Sequence, residues 1–166
     1  MKAAVIGAFD PFTRGHAWLI EQGRRIFEEI HVIVVDDPVK KTLFSMDERS
    51  VMTHDWVLKS GLMGVYTVQR EVQSVSKYLG EQKIMVVLRT LKNSAEYANA
   101  RRKINDKPIA EQTLYFIAPQ EFESCVSASV RGMLGNSGWE KLVRRYVPEI
   151  ICDGPYFDRF QKKLLT

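Results

Sequence analysis

Cysteine is scarce in this sequence, and long apolar runs are absent. The two cysteines, Cys125 and Cys152, are too few for a disulfide framework, and their spacing is not that of a metal site. The apolar run near the amino terminus is short and reaches a charged residue at Asp10, so it does not resemble a secretory signal. No run approaches the length that crosses a membrane. We therefore expect a cytoplasmic protein in a reducing compartment, with no membrane partner.

The chain also lacks internal repeats, low-complexity tracts and linker-like segments. Its 166 residues suffice for one domain with a buried core, so we predict a single domain over 1–166 that ends in an amphipathic helix at 152–166. The net charge of +4 fits an anionic small substrate, and by itself it is also compatible with nucleic acid. The basic clusters carry no interleaved aromatic residues, so we interpret them as solvated helix surfaces and predict no nucleic-acid partner.

Apolar strands and amphipathic helices alternate along the chain. The strands are predicted at 3–6, 30–35, 65–68, 84–88 and 114–118, and helices begin near Gly15 and after Ser45, where Glu48 completes a capping box. Further helices are predicted at 72–79 and 96–104. This order is typical of an α/β protein with a five-stranded, mostly parallel sheet, doubly wound, with helices on both faces. Ligands of such sheets bind beyond the carboxyl ends of the strands.

The segment from Gly7 to His16 follows the first strand and opens the first helix. Free backbone N–H groups at a helix start suit a phosphate, and His16 could add a side-chain donor. The glycines allow the backbone to approach a ligand closely. Ordinary turns also use Gly and Asp-Pro, so this pattern alone leaves a plain turn with a solvated histidine as the alternative.

The residue order Gly7-Ala8-Phe9-Asp10-Pro11-Phe12-Thr13-Arg14-Gly15-His16 resembles the first motif of the nucleotidylyltransferase superfamily, most closely that of bacterial phosphopantetheine adenylyltransferases. Further segments resemble that family in order and at similar spacing: Pro38-Val39-Lys40-Lys41-Thr42-Leu43-Phe44, Arg89-Thr90-Leu91-Lys92, Val126-Ser127-Ala128-Ser129-Val130-Arg131 and Val147-Pro148-Glu149. The resemblance implies a Rossmann-like fold. It also implies an enzyme that transfers AMP from ATP to 4′-phosphopantetheine.

The resemblance assigns roles to particular residues of this chain. Three are implied to be catalytic: His16, Lys40 and Arg89. The implied nucleotide-binding set is Gly7, Ala8, Phe9, His16, Thr90, Leu91, Lys92, Tyr97, Phe122, Ser127, Ser129 and Arg131. The implied acceptor-binding set is Ala8, Lys40, Val75, Arg89 and Asn105. No protein ligand for a metal is expected; Mg²⁺ would accompany ATP, and Asp10 is interpreted as a brace for the loop.

The sequence departs from the family pattern mainly on the nucleotide side. Ala8 stands where the family has threonine, Thr90 replaces a glycine, and Lys92 replaces an arginine, which keeps charge but loses a planar fork. A glutamate expected just after Tyr97 is absent, with Ala98 in its place. Three hypotheses therefore remain: a divergent phosphopantetheine adenylyltransferase, a nucleotidyltransferase for another nucleotide or phosphorylated acceptor, and a ligand-binding paralogue without catalysis. Family enzymes form hexamers, so a homo-oligomer is expected.

Overall fold

The computed structural model describes residues 1–36, 41–91, 96 and 112–164. Its strands are β1 (Lys2–Gly7), β2 (Glu29–Asp36), β3 (Val65–Glu71), β4 (Val86–Leu91) and β5 (Gln112–Ile117). Its α-helices are α1 (Arg14–Arg24), α2 (Met46–Ser60), α3 (Val75–Glu81), α4 (Ser127–Met133), α5 (Trp139–Tyr146), α6 (Glu149–Cys152) and α7 (Tyr156–Leu164). Short 3₁₀ turns occupy Val72–Ser74 and Gln120–Phe122.

The five strands form one sheet in the order β3-β2-β1-β4-β5, and every neighbouring pair is parallel. The predicted α/β, doubly wound architecture is confirmed. The chain moves from β1 outward through β2 and β3, then returns past β1 to β4 and β5. The strand order reverses between β1 and β4, and a sheet of this kind has its binding crevice outside that point.

Both faces of the central strands β1 and β2 are buried, which explains their nearly continuous apolar character. One face presents Ala3 and Val5 of β1 and Val32 of β2 to α1, α2 and the carboxyl-terminal helices. The other presents Ala4 and Ile33 to α3. Alternate residues of each strand therefore belong to different packing layers.

Helix α2 begins as the sequence predicts. Ser45 Oγ accepts a hydrogen bond from the backbone N–H of Glu48, whose carboxylate in turn accepts the backbone N–H of Ser45 at 2.8 Å. The helix ends at Gly61, which adopts the left-handed conformation with φ of 69°. The capping box thus sets the start of the helix that carries Arg49 toward the sheet.

Several predicted boundaries are wrong by a few residues. The fourth strand runs from Val86 to Leu91 instead of over 84–88, because β5 continues the hydrogen-bond ladder as far as the pair Leu91–Ile117. The third strand extends to Glu71 through its pairing with Asp36. The helix expected at 72–79 starts with a 3₁₀ turn.

The carboxyl-terminal helix also begins later than expected. The predicted helix at 152–166 is interrupted after Cys152, and α7 starts at Tyr156. Pro155 lacks a backbone N–H and cannot continue a helix from the preceding turn. No helix in the described part of the chain combines the length and the apolar character that crossing a bilayer requires. Residues 97–104 of the predicted helix at 96–104 lie outside the described residues.

Candidate active site

A crevice opens where the strand order reverses. It is lined from the first turn of α1, the end of β4 and the segment between β5 and α4. The lining residues are Gly15, His16, Thr90, Leu91, Glu96, Ala118, Phe122, Glu123, Cys125 and Val126. The crevice therefore brings together four residues of the implied nucleotide-binding set: His16, Thr90, Leu91 and Phe122.

His16 is held in one orientation by the residue that starts its own helix. Thr13 caps α1, and its backbone N–H donates to His16 Nδ1 at 3.0 Å. Because Nδ1 accepts, the proton of the neutral ring is on Nε2, which remains a donor. The ring also packs edge-on against Phe9, with 4.9 Å between ring centroids.

Burial among these aromatic rings lowers the pKa of His16 to about 4. The imidazole is therefore neutral near pH 7 in the absence of a ligand. A neutral ring with one free N–H is a directed hydrogen-bond donor. Such a donor fits an oxygen of a phosphate group at the opening of α1.

The first turn of α1 is fastened to the segment before α4. Thr13 Oγ1 donates to the carbonyl oxygen of Cys125 at 2.7 Å. A Cβ added at Gly15 would lie 2.5 Å from that same oxygen, so only glycine permits this close approach. Ser127 continues the connection, because its hydroxyl donates to the carbonyl of Pro11 at 2.8 Å. The two motifs, separated by more than 100 residues, form one packed unit.

Asp10 braces the loop after β1, as predicted. Its carboxylate accepts the backbone N–H groups of Leu43 and Phe44 at 2.8 and 2.9 Å. Arg131 donates to the carbonyl oxygen of Asp10 and lies 3.5 Å from its carboxylate. Within the described ranges, no group of three or more His, Cys, Asp or Glu side chains could hold a metal ion. Asp10 is thus occupied by protein donors.

Phe9 adopts an uncommon backbone conformation beside Asp10. Its φ is 51°, in the left-handed region that residues with a Cβ rarely adopt, and its side chain is buried. A conformation of this kind costs about 1–2 kcal/mol and persists only where surrounding contacts impose it. Its position at the end of β1 marks the loop as a functional candidate.

Arg49 was not among the residues predicted from the sequence, yet it joins three segments of the site. Its side chain is 0% exposed, and its guanidinium donates to the carbonyls of Ala8, Val35 and Phe44. It also donates to Asp36 Oδ1 at 2.6 Å. Arg49 is spaced from the buried Met52 and Trp56 so that it lies on the apolar face of α2. A charged residue on that face was the sequence signal that could have identified Arg49.

Arg89 and Thr90 lie at the end of β4 and alternate between the two faces of the sheet. Thr90 lines the crevice with His16. Arg89 shares the face of Val87, the face that α3 covers and where Val75 is buried in the core. Among the described residues, the exposed guanidinium of Arg89 has no hydrogen-bond or ion-pair partner. Thr90 of the implied nucleotide set and Arg89 of the implied acceptor set therefore lie on opposite faces of the sheet.

The other predicted residues lie around the same loops. Gly7 and Ala8 end β1 and begin the loop, Phe122 stacks on Trp18 with 5.8 Å between centroids, and Ser129 lies half-buried in α4. Four predicted site residues lie outside the described residues: Lys40, Lys92, Tyr97 and Asn105. Ala98, the position of the missing glutamate, does too.

Residues 4–131 match a family model described as cytidylyltransferase-like. A solved Plasmodium falciparum nicotinic acid mononucleotide adenylyltransferase shares the fold with a TM-score of 0.69 at 12% identity, covering 98% of this chain and 96% of that one. Family model, fold and crevice together define a nucleotidyltransferase.

Two curated relatives narrow the class. A phosphopantetheine adenylyltransferase of Chromobacterium violaceum is 33% identical over 90% of this chain and 92% of its own length. One of Thermotoga neapolitana is 34% identical over 78% of this chain and 80% of its own length. The chain belongs to the phosphopantetheine adenylyltransferases, within the cytidylyltransferase-like family.

Proposed function

We propose that the protein transfers the adenylyl group of ATP to the phosphate of 4′-phosphopantetheine, giving dephospho-coenzyme A and pyrophosphate. The relatives that carry the name phosphopantetheine adenylyltransferase match it over most of its length and support this acceptor. The observation that carries the chemistry is His16, a neutral imidazole whose Nε2–H remains a donor in the crevice at the reversal of strand order.

The reaction needs positioning more than an activated side chain. A phosphate monoester is already a competent nucleophile near neutral pH. One of its oxygens attacks the α-phosphorus of ATP in line, and the bond between that phosphorus and the oxygen bridging to the β-phosphate breaks. Pyrophosphate leaves with the bonding electrons. Catalysis then consists of holding the two phosphates in line and stabilising the charge that develops on them.

His16 supplies one donor for that charge. Its ring is fixed by Thr13 before any substrate binds, so no reorientation is required during the reaction. A bound triphosphate would raise the pKa of His16 from its low value, since a nearby negative charge favours the imidazolium. We propose that Lys40 bridges the reacting phosphates and that Arg89, which has no partner among the described residues, binds the phosphate of the acceptor.

We propose that Mg²⁺ enters with ATP as part of the substrate, held by phosphate oxygens and water. Asp10 supports this role, because its carboxylate already accepts two backbone N–H groups. We also propose a cytoplasmic homo-oligomer, with six subunits as the family resemblance implies. Analytical ultracentrifugation tests the subunit number.

Pyrophosphate release with Mg-ATP and a panel of acceptors tests the proposed function. The panel contains 4′-phosphopantetheine, nicotinamide mononucleotide and glycerol 3-phosphate, and mass spectrometry identifies the product. We expect release with 4′-phosphopantetheine alone, together with a product that contains AMP. Release only with another acceptor would assign a different substrate to the same chemistry, and binding of ATP without release under any condition would favour the non-catalytic hypothesis.

A further inference from the structure

Arg49 lies between the loop after β1 and the segment after β2, and one buried guanidinium connects both to α2. We propose that Arg49 is a positioning residue for adenylyl transfer. It fixes Asp36 and Phe44 relative to the loop after β1, and it orients the peptide that joins Ala8 to Phe9. This inference rests on the proposed function, because its effect is expected in the rate of the transfer step.

Arg49 donates to residues on both sides of positions 37–43 in the sequence. Arg49 donates to the carbonyl of Val35 at 2.8 Å and to the Asp36 carboxylate at 2.6 Å, both directly before this segment. It donates to the carbonyl of Phe44, directly after it, at 3.1 Å. A single rigid group therefore sets the distance between Asp36 and Phe44. Lys40 stands between these two residues in the sequence.

Arg49 also contacts the loop after β1. Arg49 Nη1 donates to the carbonyl of Ala8 at 2.8 Å. The carbonyl and the N–H of one trans peptide point in opposite directions. The N–H of Phe9 therefore points away from Arg49, and it has no hydrogen-bond partner among the described residues. In a chain with Ala8 instead of a hydroxyl-bearing residue, the direction of this backbone donor gains importance.

The bonds that Arg49 makes require a guanidinium group. The bonds to Val35, Phe44, Ala8 and Asp36 use a planar set of donors that lysine does not possess. The Asp36 side chain is 45% exposed while that of Arg49 is 0% exposed, so the guanidinium is satisfied mainly by backbone carbonyls. A group that served only to neutralise Asp36 would not need to reach three separate segments. The guanidinium therefore holds the three segments at fixed distances from one another.

The test compares Arg49→Lys with Asp36→Asn in the full-length protein. Arg49→Lys keeps the charge and loses the fork, whereas Asp36→Asn weakens one bond at a half-exposed position and leaves the three carbonyl bonds in place. Arg144→Lys is the matched control, since Arg144 makes an exposed ion pair with Asp153. Single-turnover formation of the AMP-containing product is measured per folded molecule, together with the Kd of Mg-ATP and amide hydrogen exchange.

We expect Arg49→Lys to lower the single-turnover rate about 100-fold, the loss typical of a small misplacement of reacting groups, with a much smaller change in the Kd of Mg-ATP. Asp36→Asn should lower it less, and Arg144→Lys not at all. Amide exchange in Arg49→Lys should rise at Leu43 and Phe44, whose N–H groups donate to Asp10, in an otherwise protected protein. If Arg49→Lys lowers only the melting temperature and leaves the rate per folded molecule unchanged, the inference is wrong.

The outcomes also separate this inference from the proposed function. If the unaltered protein makes no product with 4′-phosphopantetheine, the proposed function fails, while amide exchange still reports whether Arg49 holds the two loops. Should Arg49→Lys fail to fold, Asp36→Asn decides. A reduced rate with unchanged Kd supports the role of the guanidinium, and an unchanged rate with unchanged exchange overturns it.

Discussion

Two histidines in this protein, the half-buried His16 and the buried His31, have similar hydrogen bonds and different positions. His16 and His31 each have Nδ1 in a hydrogen bond, to Thr13 and to the Tyr78 hydroxyl, and burial lowers the pKa of each. His31 lies within β2, is 5% exposed and packs beneath α3. His16 lies beyond the carboxyl end of β1 and lines the crevice. Burial and a lowered pKa are therefore common to both histidines, and of the two only His16 lines the crevice at the reversal of strand order.

Replacing His16 should have the largest effect. The variant His16→Ala removes the oriented Nε2–H, and we expect kcat to fall about 10²–10³-fold, the loss typical of removing one donor to developing charge. Pyrophosphate release measures it. His54→Ala, at an exposed position of α2, is the control for loss of a histidine. A His16→Ala enzyme as fast as the His54→Ala enzyme would remove His16 from the mechanism.

The connection between α1 and the Cys125 segment should be the next most sensitive feature. Gly15→Ala places a Cβ 2.5 Å from the Cys125 carbonyl oxygen, and overpacking of this kind costs about 1–3 kcal/mol in the free energy of unfolding. Urea denaturation measures it. Gly132→Ala is the matched control, since a Cβ there meets nothing within 4 Å. Helix propensity predicts that the control gains up to about 1 kcal/mol. Equal effects of the two variants would contradict the close approach.

The hydroxyls of the two residues that hydrogen-bond the histidines, Thr13 and Tyr78, offer a paired comparison. Thr13→Val removes the hydroxyl that joins α1 to Cys125, and Tyr78→Phe removes the hydroxyl beside His31. Each should cost about 1 kcal/mol of stability. Only Thr13→Val should also lower kcat, by up to about 10-fold, because about 1.4 kcal/mol in the barrier is tenfold in rate. A fall in kcat for Tyr78→Phe alone would reverse the assignment of the two regions.

The smallest effect expected is on the pH dependence of stability. A histidine with a lowered pKa binds fewer protons in the folded state than in the unfolded state, so its contribution is complete above the unfolded value of 6.5. That contribution is lost as the pH falls from 6.5 through the folded pKa, which is about 4 for His16. Thermal melts between pH 4 and 7 should show a shallower slope for His16→Asn and for His31→Asn than for His54→Asn. Equal slopes for all three variants would contradict the lowered pKa values.

The sequence predicts the fold well because its two signals, the apolar strand pattern and the capping box, are local. Apolar strands of four to eight residues and the Ser45–Glu48 capping box specify elements with little help from the rest of the chain. The end of β4 was predicted three residues too early, since it depends on pairing with β5, which lies more than 20 residues further along. The residues of β4 alone do not indicate how far its pairing with β5 extends.

The site is predicted only where a residue belongs to a contiguous motif. His16 was found through its motif and Asp10 was correctly interpreted as a brace. The roles of Thr13 and Gly15 depend on Cys125, and that of Arg49 in joining α2 to the loop after β1 depends on the carbonyl of Ala8, 41 residues before it. Contacts across more than 30 residues follow from the tertiary fold, so no local pattern could supply them.

Nitrogen NMR of the three histidine rings during titration with a non-hydrolysable Mg-ATP analogue shows whether the bound nucleotide lies at His16. The chain has three histidines, so each signal can be assigned by single substitution. We expect the His16 Nε2 signal to shift on binding and the pKa of His16 to rise from about 4, while the signals of His31 and His54 stay in place. A shift confined to His31, or saturated binding that leaves His16 unchanged, would contradict this expectation.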